Sequence, residues 1–151
     1  MSARYLLVDG HSVIFAWPDL RALHDRNRSA ARKALADRLQ QLHDTTQWRV
    51  TLVLDGKMGT VSTNPLPKRT DMVISYATAD QTADSIIERL VAASGLAADI
   101  LVITADEAEK LTVEASGAMT ASPAWLREEL EREGTSFSGE LDRIHRSARW
   151  K

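Results

Sequence analysis

Four short apolar runs punctuate the chain, and three of them finish on an aspartate. RYLLVD ends at Asp9, WRVTLVLDG reaches Asp55 before Gly56, and DILVITAD ends at Asp106, while DMVISYA spans Asp71 to Ala77. Runs this short, apolar throughout rather than alternating with polar residues, suit strands buried on both faces of a parallel sheet. Between them the period lengthens. From Ser29 to His43, residues Ala31, Ala34, Leu35, Leu39 and Leu42 recur at helical spacing among charged neighbours. TADSIIERLVAAS, from Thr82, sets Ile86, Ile87, Leu90 and Val91 on one face, with Gly95 as its stop. Further on, a short helix is predicted from Glu107 to Ala115 and a fifth strand from Ala118 to Ala121. A helix opened by Ser122 as N-cap and Pro123 at its first position follows.

The order strand, helix, strand, loop, strand, helix, strand predicts an α/β domain: a central parallel sheet of four to five strands flanked by helices and joined by right-handed crossovers. The domain is expected over residues 1–133. The stretch Gly56 to Thr70, with two glycines and two prolines, reads as an exposed loop within it. Residues 134–151 form a tail ending LDRIHRSARWK, either a short basic helix or an unstructured end.

Composition narrows the chemistry. A chain of 151 residues with 44% apolar content supplies one core. The absence of cysteine excludes thiolate zinc sites, cysteine nucleophiles, redox pairs and disulfides, and fits a reducing compartment. The apolar run from Tyr5 is too short for a secretory segment or a membrane span, so a cytoplasmic protein with no membrane partner is expected. A formal net charge of −2 excludes a generally polycationic nucleic-acid binder but leaves room for local basic surfaces.

The candidate chemistry lies in the aspartates. Ligands of an open parallel sheet bind beyond the carboxyl ends of its strands. Asp9, Asp55 and Asp106 are predicted there, and Asp84 falls in the first turn of a helix starting near the same edge. Converging carboxylates repel one another unless a divalent cation joins them, and oxygen ligands alone favour Mg²⁺ or Mn²⁺. Such a centre could activate water and stabilise charge on a phosphodiester. Each aspartate also has a plain structural reading. Asp9 and Asp55 precede glycine as turn formers do, Asp84 suits the helix dipole, and Asp106 suits an N-cap. Glu107 and Glu109 are read as a solvated helix face, with entry into a metal shell as the alternative.

These residues also resemble a family. VDGHSVIFAWPDLR at Val8 to Arg21 is similar to the opening of YacP-type NYN domains, a strand-end aspartate followed by an asparagine, a Val-Ile pair and a Trp-Pro segment. The resemblance continues through LVLDG at Leu52 to Gly56, QTADSIIERL at Gln81 to Leu90, VITAD at Val102 to Asp106 and GAMTASPAWLREEL at Gly117 to Leu130. It implies a single PIN-like (NYN) domain acting as a metal-dependent endoribonuclease on RNA, mRNA at the ribosome being one setting. The matching catalytic and metal-binding aspartates are Asp9, Asp84 and Asp106, with Asp55 as a fourth metal ligand. The fold class also implies that two copies pair, with no surface identified. Where the family has asparagine, this chain has His11, which could ligate metal, contact phosphate, or simply pack beside the site.

Expected RNA contacts are His11, Lys57, Lys68 and Arg69, then Arg143, Arg146, Arg149 and Lys151 in the tail. Trp150 is a candidate stacking residue, whereas Trp17 and Trp125 are read as core packing. Two other Mg²⁺-dependent classes fit less well. Haloacid-dehalogenase phosphatases need an aspartate where His11 stands, and receiver domains need an early acidic pair and a later lysine that are not evident. A non-enzymatic RNA- or ribosome-binding module with a weakened acidic centre is the alternative within the fold.

Overall fold

A computed structural model describes residues 4–55, 72–77 and 81–132. The chain runs β1 (Arg4–Asp9), α1 (Gly10–Ala16), α2 (Pro18–Arg26), α3 (Arg28–Thr45), β2 (Trp48–Leu54), β3 (Val73–Tyr76), α4 (Ala83–Ser94), β4 (Ile100–Ile103), α5 (Glu107–Ala115) and β5 (Met119–Ala121). A further helix, α6, covers 123–132. The five strands form one parallel sheet in the order β3-β2-β1-β4-β5. The first three strands fill it in one direction from β1 and the last two in the other, so the chain reverses its progress between β1 and β4. In such sheets that reversal opens a crevice at the carboxyl edge.

Alternation along each strand explains why the apolar runs are continuous. Leu6 and Val8 of β1, Val50, Leu52 and Leu54 of β2, and Leu101 and Ile103 of β4 face one core, shared with α1, α2, α3 and Leu126 of α6. Leu7, Val53, Ile100 and Val102 face the other, under Ile86, Ile87 and Val91 of α4 and Val113 of α5. Both faces are covered, as a parallel sheet requires. Helix α3 buries the predicted stripe of Ala31, Leu35, Leu39 and Leu42 and continues to Thr45. Helix α4 ends at Gly95, whose φ of 69° places it in the left-handed region that glycine adopts without strain.

Helices α1 and α2 are additions to the expected order, which passed directly from β1 to the helix at Ser29. Trp17 separates them. Its backbone is extended at the C-cap of α1 and the N-cap of α2, and Pro18 starts α2 at the position where a missing N–H costs nothing. Trp17 itself is 2% exposed, and its Nε1 donates to the Pro123 carbonyl at 3.0 Å, tying α6 to this face. Trp125 is half-buried against Trp48. Both tryptophans are thus packing groups. No helix among the described residues is long and apolar enough to cross a membrane.

Candidate functional site

Strand β1 hands its last residue directly to α1. Asp9 closes the strand and is also the N-cap of the helix, its carboxylate accepting the Ser12 backbone N–H at 3.4 Å and the Ser12 hydroxyl at 3.0 Å. No loop separates the two elements, and Gly10 lies against β2. A Cβ there would come within 2.5 Å of the Leu54 side chain and 3.0 Å of the Val53 carbonyl oxygen. Asp9 is 4% exposed.

Two hydroxyls bind this carboxylate to the end of β4. The Ser12 Oγ lies 3.3 Å from the Thr104 Oγ1, which donates to Asp9 at 3.4 Å, and the Ala105 N–H donates to Ser12 Oγ at 3.2 Å. The Asp106 N–H in turn reaches Thr104 Oγ1 at 3.0 Å. The β1 and β4 ends are therefore stitched together at the crevice, with the Asp9 side chain fixed in direction.

Helix α4 supplies the second carboxylate. Thr82 and Ser85 form a reciprocal capping box that fixes its start, and Asp84 stands in the first turn, where an anion complements the free N–H groups. Burial holds the Asp84 carboxyl above its ordinary 3.8. Glu109 opposes that shift, and the negative charges of Asp9 and Asp106 add to it.

The third carboxylate is Glu109. Asp106 caps α5 by accepting the Ala108 and Glu109 N–H groups at 2.9 and 3.2 Å through Oδ1. This cap turns Glu109 inward, one turn ahead of buried Val113. The expectation that Glu109 belongs to a solvated helix face is thus corrected: it is 1% exposed. Its carboxylate oxygens are buried, and the polar groups that act on them are Thr104 and the Asp9 and Asp84 carboxylates. Burial pushes its pKa up to about 9, with Thr104 opposing and the Asp9 and Asp84 carboxylates adding to the rise.

Asp9, Asp84 and Glu109 each bring one oxygen to within 4.8 Å of the others. Asp9 and Asp84 line an open cleft of about 510 Å³ together with His11, Phe15, Asp55 and Asp106, while Glu109 is buried beside them and is not part of its lining. Of the four aspartates read from the sequence, Asp9 and Asp84 belong to this cluster. Asp106 lines the cleft and is an N-cap as well. Asp55 stands at the rim, its Oδ2 3.8 Å from His11 Nδ1, with both side chains about half open to solvent or more. Lys57, Lys68, Arg69, Arg143, Arg146, Arg149, Trp150 and Lys151 lie outside the described residues.

The cluster suits a hard divalent cation. All three donors are carboxylate oxygens, and their burial and mutual repulsion, which raise the Asp84 and Glu109 pKa values, are what an ion would relieve. Ser12 and Thr104 are the supporting groups that the sequence reading missed. Thr104 is separated from Asp106 by one residue in VITAD, and Ser12 is the third residue after Asp9, the spacing of an Asx N-cap.

Comparison with known proteins gives a consistent relation. The model of the YacP-like NYN domain family matches residues 6–151. The uncharacterized protein YacP of Bacillus subtilis strain 168 is 31% identical over 130 residues, covering 83% of this chain and 74% of that protein. Two crystal structures of Rae1 (YacP) from Bacillus subtilis share the fold. The W164L mutant superposes with a TM-score of 0.78 at 27% identity over 94% of this chain and 84% of its own. The other gives 0.76 at 28% over 95% and 82%.

Proposed function

The chain belongs to the YacP-like NYN family, and from that premise we propose that it is a metal-dependent endoribonuclease hydrolysing RNA phosphodiester bonds at the cleft. Family membership supports a nuclease-type function. The observation that carries the finer reading is the convergence of Asp9, Asp84 and Glu109, whose oxygens lie within 4.8 Å of one another with Glu109 fully buried. Those three side chains would hold Mg²⁺ or Mn²⁺. A divalent ion there supplies a Lewis acid for a phosphodiester oxygen and lowers the pKa of bound water.

The remaining residues position and exclude. Ser12 and Thr104 hold the Asp9 carboxylate in one orientation, the capping box at Thr82 and Ser85 holds Asp84, and the Asp106 cap holds Glu109. Asp106 leaves Oδ2 free of its capping bonds and, with Asp55, completes the acidic wall of the cleft. The proposed substrate is RNA, with mRNA at the ribosome as the setting.

Cleavage of a mixed structured and single-stranded RNA pool in Mn²⁺ or Mg²⁺, compared with Asp84→Asn and with EDTA, tests the reading. Metal-dependent cleavage that the substitution removes is the expected result. A second reading, an RNA- or ribosome-binding module with a weakened centre, is favoured by one observation, His11 at the family's asparagine position. Absence of Mn²⁺ binding together with absence of cleavage would select it.

A further inference from the structure

One lip of the cleft is built from rings. His11 and Phe15, one turn apart on α1, stack with centroids 4.4 Å apart and planes 36° from parallel. His24 of α2 meets Phe15 edge-on at 4.9 Å and 62°. The Arg21 guanidinium carbon lies 5.6 Å from the centre of the same ring. Phe15 packs against the core beneath, which accounts for it structurally. His11 has no such account. Its side chain is 61% exposed, it is the open end of the array, and it lines the same cleft as Asp9, Asp84 and Asp106.

We propose that this array is a base-stacking subsite: the His11 ring, backed by Phe15, receives an unpaired nucleobase next to the phosphate that a metal on the carboxylates would hold. The inference rests on the ribonuclease reading and adds to it the residue that would position a base. Its physical basis is threefold. A flat π-face beside an acidic centre attracts a neutral base where it would gain little from another phosphate. A base can cover that face only when it is out of a duplex stack, which single strands allow at low cost. Arg21 over the Phe15 ring adds a positive charge to the array that backs His11. Asp55 Oδ2 lies 3.8 Å from His11 Nδ1 at the edge of the ring, which leaves the face turned away from Phe15 open. An asparagine at the same position offers hydrogen bonds but only a small planar surface.

The test is fluorescence anisotropy of a labelled single-stranded RNA oligonucleotide and of its duplex, in EDTA to prevent metal-dependent cleavage, with the full chain. His11→Ala is expected to weaken single-strand binding by roughly 5- to 100-fold, the range of one lost base stack, and to leave the weaker duplex binding unchanged. His11→Phe restores the ring without its nitrogens and is expected to restore affinity. Phe15→Leu keeps the apolar contact with the core and is expected to weaken binding, with circular dichroism showing an intact fold. Wild-type affinity in His11→Ala, failure of His11→Phe to restore it, or equal affinity for duplex and single strand would each overturn the subsite while leaving the nuclease reading to the cleavage assay. RNA binding absent from the folded wild type, together with absent cleavage, would overturn both.

Discussion

His43 and Glu109 are equally buried, each 1% exposed, at opposite edges of the sheet. At the amino edge, His43 accepts the Val50 N–H through Nδ1 at 3.0 Å and meets Arg49 at Nε2 across 3.3 Å. Its ring completes the turn from α3 into β2. At the carboxyl edge, Glu109 is buried just as deeply, but the groups beside it are two further carboxylates. A protein that spends its polar groups on its own stability pairs them, as at His43. The Glu109 carboxyl is instead grouped with two other carboxylates, an arrangement that a bound cation would stabilise.

The comparison predicts opposite responses to substitution. The largest effect is expected in cleavage: Glu109→Ala should lower the RNA cleavage rate by about 10²- to 10³-fold, as loss of one preorganised electrostatic contact does. An unchanged rate in Mg²⁺ would remove Glu109 from the centre. Next, His43→Ala should destabilise the fold by ~3 kcal/mol in urea unfolding, through lost packing and an orphaned Val50 N–H. Activity per folded molecule should be retained. A loss below ~1 kcal/mol would show that the amino edge tolerates an unpaired group after all.

A subtler contrast lies in pH. Glu109 has an ordinary value of 4.5 and titrates at about 9 when folded. Between those values the unfolded chain binds fewer protons than the folded one, so in metal-free buffer the stability contributed by the neutral form is full below 4.5 and is lost as pH rises towards 9. The melting temperature in EDTA should therefore fall by on the order of 5 °C from pH 5 to pH 8, and Glu109→Gln should flatten the slope. Equal slopes in the two proteins would sink the assignment. The smallest effect is expected one layer out. Ser12→Ala removes the hydroxyl that donates to Asp9 and should weaken Mn²⁺ binding about tenfold in titration calorimetry, with the fold unchanged.

Much of this architecture was legible from periodicity. Strands buried on both faces leave continuous apolar runs, which located β1, β2 and β4, and a single stripe at helical spacing located α3 and α4. Helices α1 and α2 were overlooked because each is short and Trp17-Pro18 interrupts them. Their signal was nonetheless present: Val13 and Ile14 stand four and three residues before Trp17 and Leu20 stands three after it, and all are buried. Asp9 and Asp84 were readable from strand-end and helix-start positions. Glu109 was concealed by charged neighbours, Glu107 and Lys110, that do mark a polar face. The clue was Val113, four residues on and fully buried, which places Glu109 where the helix should present an apolar side chain. Ser12 and Thr104 escaped because hydroxyl residues are common at helix starts and strand ends, and only the approach of β1 to β4 brings the two together.

The crowding at Gly10 has a mechanical consequence. One residue, Asp9, ends the strand and starts the helix, and Gly10 clamps that junction against Leu54 and Val53 with no room for a single added carbon. Strand and helix therefore share a single junction residue, and the direction in which Asp9 presents its carboxylate to the crevice is set by the packing of Gly10 on β2 rather than by a loop of its own.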